Sequence, residues 1–122
     1  FIKREEAVKV YGIKNCDTMK KTFAFLEEKG ITYDFIDYKK QAPSADLLRN
    51  FLSKTSLETL VNRQGTTYKK LEDAQKEALL QETTALPILM AQPSMIKRPL
   101  IEYADGSVTL GFVPDQIAAK LK

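Results

Sequence analysis

The apolar period of the chain changes at residue 14. Val8-Lys9-Val10-Tyr11-Gly12-Ile13 is a mostly apolar run, the pattern of a buried strand. Met19, Phe23 and Leu26 then recur at four and three residues, the stripe of an amphipathic helix that begins about Asp17. Gly30 stands where such a helix stops. From Thr32 to Tyr38, β-branched and aromatic residues alternate with acids, which predicts a second strand. The first 38 residues therefore read as β-α-β, and a chain so begun folds as an α/β protein around a sheet.

Cys16 is the only cysteine, and it lies at the first strand-to-helix junction. The unpaired amides and the positive dipole end of a helix favour thiolate over thiol, and thiolate is the nucleophile. Asn15 is the expected cap, with Cys16 and Asp17 in the first turn. Lys14, Lys20 and Lys21 are close in sequence and add positive potential. The chain has no histidine, so dipole, backbone amides, lysine or arginine must activate the thiol. In open α/β sheets, ligands bind at this carboxyl end of the strands. The plainer reading stands beside this one: free cysteine is among the most buried residue types and often only fills space.

A lone cysteine cannot form an internal disulfide, and without histidine a zinc site of the usual kind is excluded. No apolar stretch approaches the ~20 residues of a membrane span. A net charge of +3, with no basic stretch interleaved with aromatics, gives no case for nucleic acid. Hydrophobic residues at 43% and charged residues at 29% describe one globular domain, 1–122, able to bury a core. Residues 1–7 are charged and lack a signal-peptide core. The expected compartment is the reducing cytoplasm.

After residue 40 the pattern turns helical. Pro43-Ser44 opens a helix with Leu47, Leu48, Phe51 and Leu52 on one face. Residues 62–67 are polar and turn-rich and lead into Tyr68 to Leu71. A helix from Asp73 to about Gln81 follows, and another runs from Thr84 to Gln92-Pro93. No strand signal occurs, so about 43–93 reads as a helical insertion. Pro99 to Ala104 and Ser107 to Gly111 flank Asp105-Gly106, a two-residue hairpin signal. Pro114 to Leu121 reads as a closing helix with Ile117, Ala118 and Leu121 inward. Phe23, Phe25 and Phe51 are expected in the core.

The order β-α-β, helices, β-β-α, with a cysteine ending the first strand and a proline opening the third, resembles the thioredoxin/glutaredoxin fold. Three segments narrow this to the arsenate-reductase-related family: Tyr11-Gly12-Ile13-Lys14-Asn15-Cys16-Asp17-Thr18 with Lys20-Lys21, Asn62-Arg63-Gln64-Gly65-Thr66-Thr67-Tyr68, and Pro93-Ser94-Met95-Ile96-Lys97-Arg98-Pro99. The pattern is most similar to a bacterial branch linked to glutathione-dependent thiol reduction. The resemblance implies that Cys16 is the nucleophile, that Arg98 faces the thiolate, and that Pro99 is in cis linkage beside it. It also marks departures. Arsenate reductases hold the oxyanion with further arginines, where this chain has Asn62 (with Arg63 next to it) and Gly111-Phe112-Val113. Met19 occupies the second position of the Cys-x-x-Cys switch carried by a related branch of transcription regulators, so an internal switch is excluded.

The resulting expectation is a monothiol oxidoreductase with Cys16 and Arg98 as catalytic residues. Lys14, Asn15, Thr18, Arg63 and Pro99 are substrate-binding candidates. No bound cofactor is expected; glutathione is the expected cosubstrate, its carboxylates near Lys14 or Arg98. For several residues a second reading stays open: Lys14 as a solvated loop lysine, Asn15 and Thr18 as caps, Arg63 as part of a turn, Arg98 as an ion pair with Glu102. The rival function is a non-enzymatic regulator that docks on a protein partner of the RNA-polymerase type. Arsenate reduction ranks last.

Overall fold

The computed structural model describes residues 8–121, and the reading of residues 1–7 as a charged lead-in lies outside them. The chain divides into two compact units, one from residues up to Lys40 and from Arg98 onward, the other from Gln41–Lys97.

In the first unit the described residues form a four-stranded sheet ordered β2-β1-β3-β4. Its strands are β1 (Lys9–Gly12), β2 (Asp34–Asp37), β3 (Leu100–Glu102) and β4 (Val108–Leu110). β1 and β2 run parallel with Gly12 opposite Asp37, joined by helix α1 (Asp17–Glu28). β1 pairs antiparallel with β3, Tyr11 opposite Leu100, and β3 pairs antiparallel with β4, Leu100 opposite Leu110. The parallel pair needs a helical crossover, whereas the antiparallel pair needs only a turn. The sheet is thus mixed, one parallel and two antiparallel pairings, in the strand and helix order the sequence predicts for an α/β unit.

Val8, Val10, Met19, Leu26, Ile101, Tyr103 and Ile117 form the core of this unit. Each such apolar side chain, fully buried, contributes about 1.5–3 kcal/mol of transfer free energy. Phe23 and Phe25 are half-buried at its border rather than inside. Phe23 stacks on Tyr33 at 5.5 Å and meets Phe35 edge-on at 5.0 Å. Gly30 ends α1 with φ +73. The Ile31 amide bonds to the Leu26 carbonyl at 2.9 Å and the Gly30 amide to Glu27 at 3.0 Å, closing the helix at a left-handed residue that glycine adopts without strain. Helix α7 (Pro114–Lys120) buries Ile117, while Ala118 and Leu121 are only half-buried.

The hairpin differs from the expected two-residue loop. The Gly106 amide bonds to the Tyr103 carbonyl, and the Tyr103 amide to Ser107, each at 2.9 Å. The loop is therefore Ala104-Asp105-Gly106, three residues, with Gly106 at φ +88, the form in which a turn is followed by a left-handed residue. Asp105 draws the turn together by accepting from the Ser107 amide at 2.9 Å and hydroxyl at 2.6 Å.

The second unit is helical: α2 (Ala45–Leu52), α3 (Leu57–Leu60), α4 (Thr66–Lys69), α5 (Asp73–Ala78), α6 (Glu82–Ala91), then a single 3₁₀ turn Pro93–Met95. Ser44 caps α2 through the Leu47 amide at 3.1 Å, and Ser56 caps α3 through the Thr59 amide at 3.1 Å; each satisfies an amide the helix leaves unpaired. Phe51, Leu48, Leu60, Leu89, Met95 and Ile96 are fully buried, with α2 packed on α6.

Three expectations are corrected here. Thr66 and Thr67 lie in α4 rather than in a loop. Helix α5 stops at Ala78, and α6 begins at Glu82 instead of Thr84, because the Thr84 hydroxyl bonds to the Ala78 and Gln81 carbonyls behind it. Although the segment carries no strand pattern, Val61 and Ile96 form an antiparallel bridge. It is flanked by Asn62 N–H to Met95 O at 2.7 Å and Lys97 N–H to Leu60 O at 2.8 Å. Two of the segments that carry the family resemblance are thereby joined within this unit. No described helix is long and apolar enough to cross a membrane.

Candidate active site

Strand β1 ends at Gly12 and α1 begins at Asp17, so Cys16 is itself the residue that enters the helix. It is the N-cap, in extended conformation at φ −138, ψ 131. This corrects the assignment of Asn15 as cap: Asn15 is one residue too early, and it is exposed, as is Lys14. The large sulfur makes no side-chain cap hydrogen bond of standard geometry, yet it occupies the place where capping oxygens accept from the first free amides.

The electrostatics follow from that position. Partial burial pushes the Cys16 thiol up, but the Met19 and Thr18 backbone amides, a hydrogen bond from Arg98 and the charge of its guanidinium pull it down. The lowering wins, so the net pKa lies below the ordinary cysteine value. Thr18 acts on the sulfur through its backbone; its carbonyl accepts the Thr22 hydroxyl at 2.8 Å. Arg98 is half-buried and Pro99 buried, and the peptide bond between them is cis. The Pro99 carbonyl accepts from the Gly111 amide at 2.9 Å.

A lowered cysteine pKa adds stability that is fully present above the unfolded value, about 8.5. It is lost as pH falls through the folded value, because over that window the unfolded chain binds the extra proton. Denaturant melts of the wild type and Cys16→Ala over a pH series should therefore diverge as pH rises toward about 8.5, the wild type gaining. Parallel curves would mean that the thiol is not shifted.

Arg63 belongs to the helical unit, where its Nη1 lies 3.8 Å from a Glu58 carboxylate oxygen in an exposed, loose pair of little energetic weight. Asn62 accepts the Gln64 amide at 3.2 Å, holding its own turn. Phe112 meets Phe25 edge-on at 5.7 Å, next to Gly111 at φ +85. Both segments at which the sequence departs from the arsenate-reductase pattern are thus held in local structure.

Two features carry no mark of their own in the sequence. The Met19 amide stabilises the thiolate by its position in the first turn, and any residue there would supply it. Tyr38 is buried, and its hydroxyl has no hydrogen-bond partner among the described residues. Among the described residues no cluster of acidic or sulfur side chains is suited to hold a metal ion.

The ArsC family profile matches residues 11–120. An uncharacterised protein of Haemophilus influenzae is 37% identical over 105 residues, which cover 86% of this chain and 90% of that protein. Among solved structures, a protein named YFFB is 46% identical with a TM-score of 0.87, covering 95% of this chain and all of that one. A protein of Brucella melitensis described as arsenate reductase (ArsC) related is also 46% identical, with a TM-score of 0.74 and 95% of each chain covered.

Proposed function

The chain belongs to the ArsC family, whose chemistry is thiol-based oxidoreduction, and from that premise we propose that it is a monothiol, glutathione-dependent thiol–disulfide oxidoreductase of the reducing cytoplasm. The carrying observation is Cys16 at the N-cap of α1 with its pKa lowered by two amides and Arg98. The Cys16 thiolate attacks the glutathione sulfur of a mixed disulfide between glutathione and a substrate thiol. A Cys16–glutathione mixed disulfide forms, and the other sulfur leaves as thiolate. A glutathione thiolate then attacks the glutathione sulfur of that mixed disulfide, releasing glutathione disulfide and restoring Cys16 as thiolate. Because this chain has no second cysteine, the resolving thiol must be external. Arg98 and the helix N-terminus stabilise the Cys16 thiolate before attack and as it leaves.

The resemblance to arsenate reductases does not extend to the further oxyanion arginines it implies, since Asn62 and Gly111-Phe112-Val113 stand in those places. The test is exposure of the reduced protein to glutathione disulfide, followed by intact mass. One glutathione adduct per chain, removed by excess glutathione, is expected; an unmodified protein would overturn the reading.

Arg98→Met should raise the apparent pKa of Cys16 and slow thiolate formation at neutral pH by up to about tenfold. A charge-assisted hydrogen bond is worth about 1.5–3 kcal/mol when buried and less when partly solvated. The pH dependence of alkylation reads the shift directly, and an unmoved profile would remove Arg98 from the site.

A further inference from the structure

The reading above, on which this inference rests, leaves one buried polar group without a task. Tyr38 is 2% exposed, and its hydroxyl meets no partner among the described residues. A buried unsatisfied hydroxyl costs folding free energy, so its retention at a site calls for an explanation. Its position is defined by backbone pairing. The Tyr38 amide bonds to the Gly12 carbonyl at 2.8 Å, and its ring stacks on Tyr11 at 6.2 Å with the planes 23° apart.

Gly12 pairs with Asp37 on one side of β1, and Tyr11 pairs with Leu100 on the other. Continuing both registers places Tyr38 and Arg98 level with Ile13, flanking β1 at the end that leads to Cys16. The charge of the Arg98 guanidinium is felt at both groups: it lowers the pKa of the Cys16 thiol and opposes the rise that burial imposes on the Tyr38 phenol. Burial dominates at Tyr38, so the phenol stays protonated, with its oxygen available as a neutral acceptor.

We propose that Tyr38 is a positioning residue: its hydroxyl oxygen is a second acceptor for Arg98, taking a guanidinium N–H when Cys16 carries no charge. As thiolate, Cys16 draws Arg98 to the sulfur. In the thiol or the mixed disulfide that charge is gone, and the guanidinium turns to Tyr38. No atoms are transferred and no oxidant is needed; one hydrogen bond exchanges for another. The arrangement keeps Arg98 at the site through the uncharged half of the cycle, ready to receive the thiolate when the mixed disulfide is resolved. A ligand can bias such a two-position side chain only through its different interactions with the two positions, and here the charge on sulfur is that difference.

The sign of one effect sets this apart from simple support. An acceptor that competes for Arg98 stabilises the uncharged forms of Cys16, so removing it favours the thiolate. Tyr38→Phe should lower the apparent pKa from iodoacetamide alkylation, raising thiolate formation at neutral pH by about two- to fivefold, the size of a modest competing hydrogen bond. It should also speed resolution of the preformed glutathione adduct by glutathione, since a leaving thiol of lower pKa departs faster. On an Arg98→Met background, Tyr38→Phe should change neither quantity, since interacting sites are non-additive. A raised or unmoved pKa in Tyr38→Phe, or an equal effect with and without Arg98, would overturn the proposal. If Arg98→Met alone leaves the alkylation profile unmoved, the Arg98–Cys16 coupling fails instead, which keeps the two failures distinct.

Discussion

Cys16→Ser is expected to form no adduct with glutathione disulfide and to catalyse no thiol transfer, while folding as the wild type does. The loss is complete rather than partial because the chain holds no other thiol and a serine hydroxyl at neutral pH is neither ionised nor able to make a disulfide. The fold survives because serine is a preferred N-cap residue, and the half-buried sulfur contributes little packing. Intact mass after exposure to glutathione disulfide, with a thermal melt on the same sample, checks both halves. Full thiol-transfer activity in the serine variant would assign the chemistry to something other than Cys16.

Met19→Ala should lower stability by about 2–5 kcal/mol, the range for truncating a buried methionine to alanine. Against total stabilities of about 5–15 kcal/mol, that is a large fraction. Met19 is fully buried in the core of the sheet unit. Its side chain lies so close over Gly12 that a Cβ there would stand 2.6 Å from the Met19 sulfur. Gly12 thus serves close approach here, as its backbone dihedral is not left-handed. The substitution leaves the backbone amide that faces Cys16 in place. Denaturant unfolding should show the loss, while alkylation of the still-folded fraction keeps the lowered thiol pKa. A variant as stable as the wild type would mean that the Met19 cavity refills, and a raised pKa would mean that the side chain itself tunes the thiol.

The sheet unit was legible because its signals are local. The apolar run at Val8 to Ile13, the stripe at Met19, Phe23 and Leu26 and the stop at Gly30 each act within a few residues, and the structure keeps all three. The hairpin loop is one residue longer than its sequence suggests, since Asp105-Gly106 suits a two-residue turn and equally the last two residues of a three-residue one. Only hydrogen bonding at Tyr103 and Ser107 separates them. In the helical unit, Thr66 and Thr67 looked like loop because threonine competes with the backbone for hydrogen bonds. The Val61–Ile96 bridge joins residues far apart in sequence and leaves no local trace. At the site, the nucleophile and its cap region were visible from position, and the role of Arg98 came from resemblance. Tyr38 read as an ordinary strand residue, because nothing in sequence shows that a hydroxyl will be buried without a partner.

The central claim is that Cys16 is held as a reactive thiolate by the start of α1 and Arg98, and the rate of Cys16 alkylation by iodoacetamide as a function of pH tests it most directly. An apparent pKa clearly below the ~8.5 of a free cysteine, raised again in Arg98→Met, is the predicted result. An ordinary or raised pKa that Arg98→Met leaves unchanged would contradict it and make Cys16 a structural thiol.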